Sequence, residues 1–495
     1  MEKFFKLKQY GTNVRTEIVA GITTFFTMAY IIFVNPNILS ITGMNPKGVF
    51  VATIIASVVG TMVMALFANV PYALAPGMGL NAFFTFTVCG VMGFTWQQAL
   101  AMVLITGVIN IIITVTGMRR AIIRSLPKVL QSAIGGGIGL FIAYIGIKDA
   151  GLLKFTSDPG TYLFFGKTPA DATVIASSSA VPGLVNFSNH GVQLALIGVL
   201  IIVVLMVLKV KGSILIGIIS TTIIALLEIA FGVNPHVFFP SLGSDINTAG
   251  AFFSTISISP SAIGSSIAAV QDTAFKMDFP GLFADPSRII LAFTAIIAFI
   301  LTDIFDALGT FIGTGRRTGI FDENDEKLLL SGKGLKSRMD RALFADLCAT
   351  ITGAFVGTSN TTTYVESSAG IAEGGRTGLT SVVTAILFAL CLVLAPIVGI
   401  VPAVATAPAL IVVGMLMIAS IADIDWHNFE DAAVAFITIA LMPFTYSITT
   451  GIAFGFILYV LIKLIRGKAN EVHPIMYGAT ALFLLNFTML AIKNL

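Results

Sequence analysis

Long apolar stretches dominate the chain, with short polar connections between them. A helix that crosses a bilayer needs about 20 mostly apolar residues. In the first half, runs of this kind fall at 18–36, 48–68, 74–92, 97–117, 126–147, 191–208 and 213–232. In the second half they fall at 288–313, 342–357, 360–374, 378–399, 403–421, 430–446 and 449–465. The pattern predicts an all-α polytopic membrane protein with fourteen spans. A further apolar stretch at 475–492 fits a crossing, a re-entrant segment or an interfacial helix equally well. Two long outer connections, 148–190 and 233–287, are rich in Ser, Gly, Pro and Thr and read as solvated connectors. The second of them contains SAIGSSIAAV, which is compatible with a short surface helix. The hydrophilic linker at 314–341 falls where the chain divides into two seven-span halves.

Composition agrees with this pattern. Of the 495 residues, 56% are hydrophobic and 11% charged, against about 25% charged in soluble domains. That excludes a soluble enzyme, a disordered protein and a nucleic-acid-binding module. A net charge of +3 implies no polyanionic partner. Cys89, Cys348 and Cys391 are too far apart for a CxxC metal site or a disulfide framework and read as core thiols. Lys3, Lys6, Lys8 and Arg15 precede the first span, but no small-residue cleavage site follows it, so a cleaved signal peptide is not expected.

Basic residues are retained on the cytoplasmic side of membrane proteins. With the N-terminus inside, the fourteen-span arrangement places 21 of the 28 Lys and Arg residues inside, including Arg119, Arg120, Arg124, Arg316, Arg317, Lys327, Lys333 and Lys336. The expected location is the plasma membrane, with a cytoplasmic N-terminus. Because seven is odd, the two halves would run through the membrane in opposite directions.

Two spans are interrupted at corresponding places in the two halves. The third reads ANVPYALAPGMGLNAFFTFTV, where Pro71, Pro76, Gly77 and Gly79 prevent a helix from running throughout. The tenth reads GTSNTTTYVESSAGIAEGGRTG, with a β-branched start that favours extended backbone, and Gly374 and Gly375 at its close. Each predicts a short strand followed by a half-helix. Short or broken segments at matching positions of inverted repeats mark substrate sites in secondary transporters. Irregular backbone is tolerated at membrane depth only inside protein or against a polar cavity, and half-helix N-termini add partial positive charge there.

Acidic side chains at that depth are costly and usually functional. The eighth span, ILTDIFDALGTFIG, puts Asp303, Asp306 and Thr310 on one polar stripe. The tenth span contributes Glu366 with Ser367 beside it, and the third contributes Asn81. Glu228, Asp346 and Glu373 lie near span ends and read as interfacial or structural. His190, His236, His427 and His473 lie outside the deep membrane region, which argues against a histidine proton relay. No metal cluster or nucleophile–His pair occurs at depth, so neither a cofactor nor an enzymatic activity is expected.

A carboxyl group at such a site can exchange a proton, because desolvation favours its neutral form. When ionised it accepts hydrogen bonds from a planar ligand with adjacent N–H groups. No Lys or Arg lies among these positions, so the ligand expected is a neutral donor-bearing heterocycle rather than an anion. Phe25, Phe26, Phe83 and Phe84 could stack on it, although core packing is the expectation for each.

Five strings in order resemble the nucleobase–cation symporter family, in its azaguanine-like branch of hypoxanthine, guanine and adenine permeases. They are GTNVRTEIVAGITTFFTMAYIIFVNP at 11–36, ALAPGMGLNAFF at 73–84, FDALGTFIG at 305–313, FVGTSNTTTYVESSAGIAEGGRTGLTSVV at 355–383 and MPFTYSITTGIAFGF at 442–456. The resemblance implies a core domain of spans 1–4 (1–117) and 8–11 (287–400). It implies a gate domain of spans 5–7 (118–286) and 12–14 (401–468), with 469–495 as an apolar tail. It further implies elevator-type alternating access and a homodimer through the gate. By the same likeness Glu366 binds the base, Asp306 couples binding to a proton with Asp303 as its neighbour, and Asn81 orders the third-span strand or touches ligand. Thr310 and Ser367 are further candidate contacts. The expected partners are a purine base, with guanine and hypoxanthine ahead of adenine, and a proton in preference to sodium. An anion carrier on the same architecture is the remoter alternative.

Overall fold

The computed structural model describes residues 2–116, 126–157, 180–185, 187–240, 246–254, 259–318, 320–321, 335 and 337–493. Arg119, Arg120, Arg124, Lys327, Lys333 and Lys336, on which the inside-positive pattern partly rests, lie outside these residues. Among the described residues, nine helical segments are long and apolar enough to cross a membrane, and Met78–Val91, Ile289–Ile304 and Pro474–Thr488 form shorter apolar helices. The chain is a polytopic, helical membrane protein.

Local signals explain where the helices begin. Asn13 caps Val14–Met28, and Asn45 with Pro46 at the first helical position starts Pro46–Val63. Capping boxes of Thr95 with Gln98 and Ser337 with Asp340 open Trp96–Val115 and Arg338–Val356. The first apolar run is not one helix. Val14–Met28 ends at Ala29, and Ile31–Ser40 begins after Tyr30. The stretch after 474 is a continuous helix, Pro474–Lys493.

Four short strands accompany the helices. β1 (Leu74–Pro76) pairs with β4 (Thr361–Thr363), and β2 (Leu153–Ser157) with β3 (Ala180–Leu184), both antiparallel. The β2–β3 pair lies in the 148–190 connection, read above as a solvated connector. Its period-two signal, Leu153-Lys154-Phe155-Thr156, is only four residues long amid Ser, Gly and Thr. In the 233–287 connection, Pro260–Ala268 is a helix capped by Ser259, in the SAIGSSIAAV stretch.

The β1–β4 pair joins segments almost 300 residues apart and is surrounded by helices Pro46–Val63, Ile289–Thr318 and Arg338–Val356. Val14–Met28 packs on Gly378–Leu390, and Trp96–Val115 on Arg338–Val356. Elsewhere, Lys128–Asp149 packs on Ala403–Met417 and Phe429–Phe444, while His190–Val207 packs on Ser213–Ala230 and Ala403–Met417.

Candidate functional site

A two-stranded sheet is marginal by itself, and buried backbone groups need partners. Side chains supply them around β1 and β4. Their register sets Leu74 against Thr363, Ala75 against Thr362 and Pro76 against Thr361. The ladder is prolonged by Gly77 N–H to Asn360 O at 2.9 Å and Tyr364 N–H to Ala73 O at 3.0 Å. Asp346 Oδ1 accepts from both the N–H and the hydroxyl of Thr363, each at 2.7 Å. Thr350 donates to Thr361 O at 3.0 Å, and the Thr61 hydroxyl accepts from Leu74 N–H at 2.9 Å. Tyr364 Oη donates to Pro76 O at 2.7 Å. Each such bond contributes about 1 kcal/mol net.

Two glycines allow the close approaches. A Cβ on Gly77 would meet Thr362 Cγ2 at 2.5 Å, so the end of β1 could not lie against β4 with a larger residue there. A Cβ on Gly370 would run into Thr24 and the Ala20 carbonyl, so glycine lets the short helix Ser367–Ala372 lie against Val14–Met28. The segment after β1 is helical at Met78–Ala82 and widens to π-helical turns over Phe83–Val91. Such turns are rare and frequently occur at functional segments.

The acids beside the strands fall into different settings. Asp303 is 1% exposed and accepts from Asn110 Nδ2 at 2.9 Å and Asn360 Nδ2 at 3.4 Å. Asp306, one turn along the same Ile289–Thr318 helix, keeps partial exposure. Its neighbours are Asp303, Glu366 and Thr362. The buried Thr362 hydroxyl faces it without closing a hydrogen bond of ordinary geometry. Glu366 immediately precedes the Ser367–Ala372 helix, and its Oε1 accepts from Tyr30 Oη at 2.8 Å.

The remaining candidates are buried in the frame. Asn81 Oδ1 accepts from Ser359 Oγ, tying the half-helix after β1 to the turn before β4. Ser367 Oγ accepts from Ala73 N–H at 3.1 Å, so its hydroxyl holds the approach to β1. Thr310 is buried on the same helix as Asp306. Of the four phenylalanines, Phe83 packs edge-on against Phe299 and Phe25 against Phe388, Phe84 is fully buried, and Phe26 is exposed. The three buried rings read as packing.

Sequence reasoning passed over Tyr30, Thr362 and Tyr364, and it read Asp346 as interfacial or structural. Asp346 is fully buried and clamps β4. The available signal for Tyr30 was its hydroxyl in the middle of an apolar run, since a buried phenol needs a partner. Among the described residues no group of three or more His, Cys, Asp or Glu could hold a metal ion. An apolar groove of about 490 Å³ between Lys128–Asp149 and Phe429–Phe444, lined by Leu140, Tyr144, Trp426 and Phe436, contains none of these acids.

Comparison with known proteins decides the family. A model described as a permease family matches residues 15–454. The chain is 38% identical to guanine/hypoxanthine permease PbuG of Bacillus subtilis over 99% of this chain and 100% of that protein. It is 37% identical to adenine permease AdeP of Escherichia coli over 99% of this chain and 96% of that one. The chain belongs to the purine permease branch of the nucleobase–cation symporter family. As a purine permease it is a membrane transporter of small solutes rather than an enzyme. The fold of this permease is also similar to the transmembrane domain of a cyanobacterial bicarbonate transporter, BicA. The TM-score is 0.56 at 16% identity, covering 88% of this chain and 97% of that one.

Proposed function

We propose that this permease imports purine bases, guanine and hypoxanthine foremost, in symport with protons. The observation that carries the reading is the proximity of Asp306 and Glu366 beside the β1–β4 pair, with no basic side chain acting on either among the described residues. Guanine offers N1–H next to its exocyclic amine, a donor pair suited to one carboxylate. Glu366 binds the base, Asp306 couples binding to the proton with Asp303 as its held neighbour, and Asn81 orders the frame. Thr310 and Ser367 are further contacts to the base in this reading, Ser367 also holding the approach to β1 through Ala73 N–H.

The transport cycle in this reading is an elevator movement. The mobile core comprises 1–117 and 287–400 around the strand pair, and the gate comprises 118–286 and 401–468. Fourteen spans in two inverted sevens, a cytoplasmic N-terminus, a plasma-membrane location and a homodimer through the gate belong to the same proposal. The packing of Lys128–Asp149 on Ala403–Met417 and Phe429–Phe444, away from the strand pair, supports the division.

Adenine is the competing substrate, because the likeness to AdeP is about as close and as complete as that to PbuG. The test is uptake of labelled hypoxanthine, guanine and adenine in cells lacking their own permeases, with each base competing against the others. Saturable hypoxanthine uptake displaced by guanine supports the reading. Adenine preference moves the substrate, and no saturable uptake of any base rejects the proposal. Uptake that follows sodium and ignores a collapsed pH gradient would overturn the proton.

A further inference from the structure

The carboxylate assigned to the base is held from outside its own segment. Tyr30 lies in the two-residue break between Val14–Met28 and Ile31–Ser40 and is 1% exposed. Its Oη donates to Glu366 Oε1 at 2.8 Å. Near the end of Val14–Met28, the Thr27 hydroxyl bonds to Thr24 O at 2.8 Å and makes a longer, shared contact of 3.4 Å with the Glu366 backbone carbonyl. The Tyr30 ring centroid is 6.4 Å from that of Tyr364, whose hydroxyl in turn holds Pro76 of β1. Among the described residues Tyr30 is the only side chain hydrogen-bonded to the Glu366 carboxylate. A break in the first apolar run therefore holds the side chain of the base-binding acid, and the helix before it touches that acid's backbone.

We propose that Tyr30 is a positioning residue that sets which purine edge Glu366 accepts. The terminal torsion of glutamate is broad, so an unheld carboxylate would sample many orientations. A phenol donating to one oxygen fixes the plane of the group and leaves the acceptor sites of the other oxygen for a ligand. The bond is strongest when the carboxyl group is ionised, since charge-assisted hydrogen bonds are about twice as strong as neutral ones. Tyr30 thus presents Glu366 as an acceptor. Hypoxanthine and guanine bring N1–H to an acceptor, whereas adenine brings an N1 lone pair, which an acceptor repels. This inference rests on the purine reading and extends it to the origin of base preference.

The test compares hypoxanthine uptake, and its inhibition by adenine, in wild type and Tyr30→Phe. In Tyr30→Phe the KM for hypoxanthine should rise about tenfold, the size of a lost hydrogen bond to a charged group. The maximal rate should stay near that of wild type and adenine inhibition should barely move, so the preference for hypoxanthine collapses. Equal weakening toward both bases, or no change in either, overturns the inference. If Tyr30→Phe does not reach the membrane, Thr27→Val loosens Glu366 through its backbone. That variant should lower the preference about twofold, and an unchanged preference there overturns the inference too. A wild-type protein that takes up none of the bases defeats the purine reading itself. Uptake with an unaltered preference in the variants defeats only the role of Tyr30.

Discussion

Between Ala73 and Gly77 the first interrupted segment offers almost only hydrocarbon and backbone, whereas between Asn360 and Ser367 the second offers a hydroxyl, amide or carboxylate at nearly every position. The two segments pair as strands, and each continues into a helix. Their supports differ as well. β1 is held by the Thr61 hydroxyl and by Ser367 and Tyr364 reaching across from the other half. β4 has its own clamp in Asp346 and Thr350 from the helix that precedes it. A shape shared by two segments therefore does not mean a shared task. In the proposed reading the first segment supplies a close-fitting backbone platform, and the second carries the base-binding Glu366 and lies beside Asp306 of the Ile289–Thr318 helix.

The sharpest way to break this division is to disable the acids on the chemical side. Asp306→Asn should abolish accumulation driven by a pH gradient while counterflow of base across proteoliposomes continues. Persisting accumulation would remove Asp306 from coupling. Glu366→Gln should weaken base binding by about 10- to 100-fold, the range for a lost charge-assisted bond, and calorimetry on the purified protein measures it. Unchanged affinity would move the binding group elsewhere. Asp346→Ala acts on the frame of the same segment. It leaves two buried donors of Thr363 without their acceptor, which should cost about 2–4 kcal/mol and lower the melting temperature in detergent by several degrees. A melting temperature equal to wild type would show that β4 does not depend on that clamp.

The breaks themselves were legible because Pro76, Gly77 and the Thr361–Thr363 run punctuate otherwise apolar stretches, and acids at membrane depth are few enough to single out. Their partners were not. The pairing of Leu74 with Thr363 is a contact between residues far apart in sequence, and no local period encodes it. Helical spacing put Asp303 and Asp306 on one stripe. It carried no information on Asn110 and Asn360, which bind Asp303 and leave Asp306 to the strand. Asp346 read as interfacial or structural because it lies near the start of the apolar run at 342–357. The strand it clamps folds back from 17 residues later and buries it. Tyr30 was hidden for a related reason, since only the fold brings it to Glu366, 336 positions away.

The smallest effect is the most informative about the platform side. Thr61→Val keeps the volume and branching of the side chain but removes the acceptor for Leu74 N–H. The cost should be about 1–3 kcal/mol, the penalty for leaving one buried donor unpaired, seen as a drop of a few degrees in melting temperature. Thr350→Val, which removes the donor to Thr361 O on the opposite strand, should cost about the same. Neither change touches a carboxylate, so base affinity in both should stay within about threefold of wild type, less than the loss of one full hydrogen bond. If Thr61→Val reduced affinity as far as Glu366→Gln while Thr350→Val did not, β1 would be a participant in recognition rather than a support. The two segments would then share the chemistry that the present contrast gives to one of them.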